Sequence, residues 1–155
     1  MSSSIESRLA ELGVTLPTPV PPVANYVPVV RSGNLLHISG QLPMNPSGKL
    51  VASGHLGENV DVAAGQAAAR MCAINILAQI RAEIGDLDKV VRIVKLGAFV
   101  SCTPDFNDQP KVVNGASDFM VDVFGDKGRH SRSAVGVPSL PLNAAVEIDA
   151  IVEVA

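Results

Sequence analysis

The chain has 155 residues, with twelve Lys and Arg against fifteen Asp and Glu for a net charge of −3, and the absence of a dense basic cluster argues against nucleic acid as its main partner. Hydrophobic residues make up 47% and charged residues 17%, more apolar surface than one small domain hides, so a buried subunit interface is expected. The length suits a single domain, no run reaches the roughly 18 apolar residues of a membrane span, and the Met1-Ser2-Ser3 start lacks a signal-peptide pattern, so a cytoplasmic protein is expected.

Ser3 and Glu6 have capping-box spacing and Ile5, Leu9 and Leu12 share a helical face, which predicts a short peripheral helix over residues 3–12. Pro17, Pro19, Pro21 and Pro22 then impose an extended linker, so residues 1–24 read as a helix and linker preceding the domain of residues 25–155. Tyr26 to Arg31 reads as a strand, with Pro28 arguing for an edge position, and Ser32-Gly33-Asn34 turns the chain into a returning strand from Leu35 to Gln41. Asp61 can cap a long helix that ends at Gly85, with an apolar stripe of Ala64, Ala67, Met71, Ile74, Leu77 and Ile80. Val90 to Ser101 is rich in β-branched residues and reads as a strand. Pro110 opens a second helix whose Val112, Ala116, Phe119 and Val123 keep the helical period, and Gly125 closes it. The last two strands are expected over 132–137 and 144–154.

Two long helices among five strands predict an α+β domain with one sheet and both helices on one face. In the final strand Val146, Ile148, Ala150, Val152 and Val154 point to the helices, while Ala145, Glu147, Asp149, Ile151 and Glu153 point to the uncovered face. If Pro138 to Pro141 close a hairpin, Val137 faces Leu142 and Arg132 lies opposite Glu147, where directly opposed Cβ atoms are roughly 5 Å apart. Read from the pattern alone, that pair is either a cross-strand salt bridge or a catalytic cation and carboxylate. Cys72 and Cys102 read as reduced, buried thiols, and His37 and His55 as structural. His130, two residues before Arg132, is a possible additional acid or base. The histidine spacing does not argue for metal, and the glycines do not form a nucleotide-binding pattern.

Ile38-Ser39-Gly40-Gln41-Leu42-Pro43, Arg132-Ser133-Ala134-Val135-Gly136-Val137 with Leu140-Pro141, and Val146-Glu147-Ile148 resemble motifs of the reactive intermediate deaminase (Rid) family. That family is also called YjgF-like or L-PSP and, historically, translation-inhibitor endoribonuclease. The resemblance spans about residues 25 to 154. It implies a chorismate-mutase-like subunit, a homotrimer whose sheets form a central barrel, active sites in clefts between subunits, and cofactor-free chemistry. It implies that Arg132 grips the substrate carboxylate through its two-pronged guanidinium and that Glu147 positions the attacking water. It also implies that Tyr26 borders the ligand, that the Gly40 backbone faces it, and that Asn114 lies near the pocket. Ala134 stands where well-known members often carry Cys, so only its backbone can line the site. The N-terminal helix and the segment from Gly125 to Ser131 mark a divergent subgroup.

The expected activity is hydrolysis of small 2-imino or 2-enamino acids to 2-keto acids and ammonia. The alternative is a non-catalytic trimer that binds small carboxylates. RNA cleavage ranks last, because an acidic chain with few aromatics offers little phosphate affinity or base stacking.

Overall fold

A computed structural model describes residues 4–19 and 24–155, so Ser3, Pro21 and Pro22 lie outside the described residues. The helices are α1 (Ser4–Glu11), α2 (Val62–Ile84) and α3 (Gln109–Phe124), and the strands are β1 (Val29–Ser32), β2 (Leu35–Gln41), β3 (Val90–Ser101), β4 (Ser131–Val137) and β5 (Val146–Val154). They form one mixed sheet in the order β1-β2-β5-β3-β4, with α2 and α3 on one face. The architecture is the expected α+β one. Among the described residues no helix is long and apolar enough to cross a membrane.

Local chemistry accounts for the element ends. β1 and β2 pair through Ser32 and Leu35, and Gly33, at φ 60°, occupies the turn position that an L-residue with a Cβ adopts poorly. The Asp61 carboxylate accepts a hydrogen bond from the Ala64 N–H at 2.8 Å, satisfying a donor left over at the start of α2. Gly85 ends α2 by donating to the Arg81 carbonyl. Pro110 sits in the first turn of α3, where the missing N–H costs nothing.

The core lies between the sheet and the two helices. Leu36 and Ile38 of β2, Ile93, Leu96 and Ala98 of β3, and Ile148, Ala150 and Val152 of β5 are buried beneath Cys72, Ile76, Leu77 and Ile80 of α2 and Val112, Ala116 and Phe119 of α3. The predicted α2 stripe needs correction. Ala67 is exposed, and Ala64 and Met71 are half-buried, whereas Gly65, Ala68, Ala69 and Ala73 are buried. The helix is wedged between sheet and α3, so more than one face is covered, and alanine-rich sequence gives little contrast between faces.

The N-terminal helix is not peripheral. The Ser4 and Ile5 N–H groups donate to the Asp88 carboxylate at 2.9 and 3.0 Å, so an acid distant in sequence caps α1 and complements its dipole. Leu9 is 2% exposed, Arg8 Nε donates to the Asp122 carbonyl at the end of α3, and Glu6 pairs with Arg81 at 3.3 Å.

The expected hairpin between the last two strands does not form. β4 lies at the sheet edge, parallel to β3, with Arg132 beside Leu96. β5 inserts between β2 and β3, antiparallel to both. The connecting chain turns through Pro141–Asn143, where Leu142 and Asn143 adopt φ values of 57° and 62°, and Ala144 bridges to Ser53. Every second residue of β5 is fully buried, so its apolar side gains most at the sheet centre, where it has two hydrogen-bonded neighbours. β4 has no fully buried residue and suits an edge. A parallel neighbour needs a long crossover, and α3 supplies it.

Candidate functional site

This topology separates the two charged groups that the hairpin would have joined. Glu147 registers with Phe99 of β3 and points to the uncovered face, whereas Arg132 registers with Leu96, a buried residue of the helix-covered face. With β3 between them and three register steps along the strands, their Cα atoms are on the order of 14 Å apart, from standard strand rise and spacing. The direct Arg132 to Glu147 pairing is excluded within one chain.

On the uncovered face, Glu147 packs against Gly40. A Cβ at position 40 would lie 2.8 Å from Glu147 Oε2, so only glycine lets the carboxylate approach this backbone without a clash. Tyr26, His37, Ser39, Gly40, Glu147 and Asp149 line an open cleft of about 650 Å³. Burial raises the Glu147 pKa above the usual glutamate value, and the negative charge of Asp149 adds to the effect. Asp149 is itself raised, chiefly by burial, with a Gly97 backbone hydrogen bond and Lys95 opposing. Tyr26, Gly40 and Glu147 therefore share one cleft.

The second cluster lies at the β4 edge under α3. Arg132 Nη1 donates to Ser117 Oγ at 3.1 Å and Nη2 to the Pro110 carbonyl at 3.3 Å. No carboxylate among the described residues forms a salt bridge with Arg132. Asn114 is half-buried on α3, one turn from both Pro110 and Ser117, which puts it on the same helical stripe. Ala134 is half-buried two residues after Arg132 on the same side of β4. His130 uses both ring nitrogens, Nδ1 with the Gly128 carbonyl at 2.6 Å and Nε2 with Ser117 Oγ at 2.9 Å. Burial lowers its pKa below the usual histidine value, the Gly128 hydrogen bond opposes this, and the Arg132 charge adds to it.

Sequence reasoning missed Ser117 and gave Asp149 no role. The spacing of Pro110, Asn114 and Ser117 on α3 was the available signal for the first. For the second it was the two-residue step from Glu147. Cys72 and Cys102 are free and buried, and Cys72 points its thiol at the Val146 carbonyl inside the core. The described residues contain no group of three or more His, Cys, Asp or Glu side chains arranged to hold a metal ion.

Comparison with known proteins bears on this arrangement. The model of the family described as YjgF/chorismate mutase-like, putative endoribonuclease matches residues 6–154. Protein TCP17 of Trypanosoma cruzi is 50% identical over 153 residues, covering 98% of this chain and 95% of that protein. The 2-iminobutanoate/2-iminopropanoate deaminase of Dermatophagoides farinae is 30% identical over 139 residues, covering 90% and 93%. The crystal structure of Atu1372 from Agrobacterium tumefaciens, a protein described as of unknown function, superposes with a TM-score of 0.90 at 56% identity and covers 97% of this chain and 94% of that one. With its sheet, helices and motif positions all in place, the chain belongs to the YjgF-like, or Rid, family.

Proposed function

We propose that the protein hydrolyses small 2-imino and 2-enamino acids to 2-keto acids and ammonia, at sites formed where the Arg132 edge of one subunit meets the Glu147 cleft of the next in a homotrimer. The observation that carries this reading is the state of Arg132. Its guanidinium is half-buried and held by two neutral oxygens, so a partly desolvated cation has no carboxylate counter-ion among the described residues. An α-carboxylate supplies one, with a geometry that matches the planar fork.

The chemistry follows from the two half-sites. Water adds to the carbon of the protonated imine while Glu147 accepts one water proton, giving a neutral tetrahedral amino alcohol. Glu147 returns that proton to the nitrogen, and the C–N bond then breaks as the hydroxyl loses its proton to Glu147, giving the C=O product and ammonia. A glutamate whose pKa is raised by burial and by Asp149 suits both halves of this exchange better than an ordinary surface glutamate. Tyr26 and the Gly40 backbone line the Glu147 side, while Asn114 and the Ala134 backbone line the Arg132 side. No cofactor takes part. A trimer that only binds carboxylates would use Arg132 equally well, but would have no use for a half-buried glutamate in the adjoining cleft.

The test generates iminopyruvate and bulkier imino acids in situ with an amino-acid oxidase and follows their decay. The protein should accelerate it, and Arg132→Lys, which keeps the charge and loses the fork, should lower that activity at least about tenfold, or roughly 1.4 kcal/mol of transition-state stabilisation. No acceleration across the panel would leave carboxylate binding as the remaining reading. Full activity in a well-folded Arg132→Lys protein would remove the arginine from its role.

A further inference from the structure

We propose that Ser117 and His130 are positioning residues that fix the Arg132 guanidinium for a carboxylate ligand, Ser117 by direct contact and His130 through Ser117. This deepens the function proposed above and rests on Arg132 being the carboxylate-binding group.

Proton accounting gives the three contacts a single direction. A carbonyl oxygen only accepts, so His130 Nδ1, 2.6 Å from the Gly128 oxygen, carries the ring proton. In the neutral ring Nε2 then holds a lone pair, and Ser117 Oγ, 2.9 Å away, donates its one proton to it. The same hydroxyl is left with lone pairs only, and one of them accepts from Arg132 Nη1 at 3.1 Å. Each bond has one direction, and reversing any of them would leave two donors or two acceptors facing each other. The lowered pKa of His130 keeps the ring in the neutral form that this chain of bonds needs.

The backbone around the pair is built for this arrangement. α3 stops at Gly125, and the turn Gly125–Gly128 folds back so closely that a Cβ at Gly128 would overlap the Met120 carbonyl. That closure aims the Gly128 carbonyl at His130. A serine within a helix ordinarily turns its hydroxyl back to the carbonyl four residues earlier. Ser117 instead reaches across to His130 and Arg132, which ties α3 to β4. Arginine has many rotamers, and ordering them when a ligand binds weakens affinity. Ordering them in the free protein transfers that cost to folding.

Two independent readouts test the proposal. In the ¹⁵N-labelled wild-type protein, the Arg132 Nη1 and Nη2 groups should give separate signals, because rotation about Nε–Cζ is restrained. In Ser117→Ala they should merge, in His130→Ala they should broaden or merge, and in Ser117→Thr, which restores the hydroxyl, they should separate again. In kinetics, Ser117→Ala should raise KM for iminopyruvate roughly fivefold, the effect of about one hydrogen bond, with kcat within about twofold of wild type. Ser117→Thr should recover most of the loss. Merged signals in the wild type, or separate ones in both Ser117→Ala and His130→Ala, would overturn the positioning role. So would a fall in kcat at unchanged KM. If Ser117→Ala fails to fold, His130→Ala, outside the helix, carries the same comparison. A wild-type protein with restrained Arg132 signals and no imine hydrolysis would overturn the proposed activity while leaving the positioning intact.

Discussion

Glu147 and Asp149 stand two residues apart on one face of β5, and both carboxyls hold their protons to higher pH than usual. If Glu147 must be ionised to take a proton from water, kcat/KM should climb with pH through an acid limb that lies above the ordinary glutamate range. Burial sets most of that displacement and the Asp149 charge adds to it. Asp149→Asn removes the second cause, so the limb should move toward lower pH, and Glu147→Gln should abolish it together with most turnover. Profiles of kcat/KM between about pH 4 and 8 decide the matter. A limb that stays in place in Asp149→Asn would mean that another group is titrating.

Between elements, α2 and α3 approach each other backbone to backbone. A Cβ on Gly115 of α3 would overlap the Gln66 carbonyl of α2, and a Cβ on Gly65 of α2 would lie 3.0 Å from Val112 Cγ1. Helix propensity alone predicts that Gly115→Ala stabilises the protein by about 1 kcal/mol. Steric overlap with backbone predicts the reverse, because a carbonyl cannot rotate away. We expect net destabilisation of about 1–3 kcal/mol in urea unfolding. An unchanged or higher midpoint would show that the helices can part without cost. The elements themselves were largely legible: proline, glycine and aspartate punctuation marked both ends of α2 and α3, and alternation showed which side of β5 is buried. What misled was the span from Pro138 to Pro141. Its prolines mark a turn but do not say which strand the chain meets next. That choice is made by β5, which buries more at the sheet centre than beside β4, a comparison of tertiary contacts that no local pattern contains. The short α1 was underestimated for a similar reason, since Asp88, its capping partner, lies 84 residues away from Ser4.

For the whole molecule, the face opposite the helices remains uncovered. Val30, which lines the cleft that holds Glu147, and Val135 at the β4 edge are 52% and 45% exposed there, which fits the apolar excess visible in the composition. The sequence singled out Arg132 and Glu147 together, yet their separation was not legible: they fall on opposite sides of the sheet. A site divided in this way has a consequence in mixing experiments. An Arg132→Lys subunit retains a sound glutamate cleft, and a Glu147→Gln subunit retains a sound arginine edge. If each homogeneous protein is a weakly active trimer, unfolding both, mixing them in equal amounts and refolding should restore activity, because about one junction in four then joins two intact halves. Mass photometry on the mixture should give three times the chain mass. Recovery near a quarter of the wild-type rate would mean that each active centre is shared property, inherited from two neighbours and owned by neither. A mixture no more active than its parents would overturn the shared centre, and with it the pairing of Arg132 and Glu147 in one reaction.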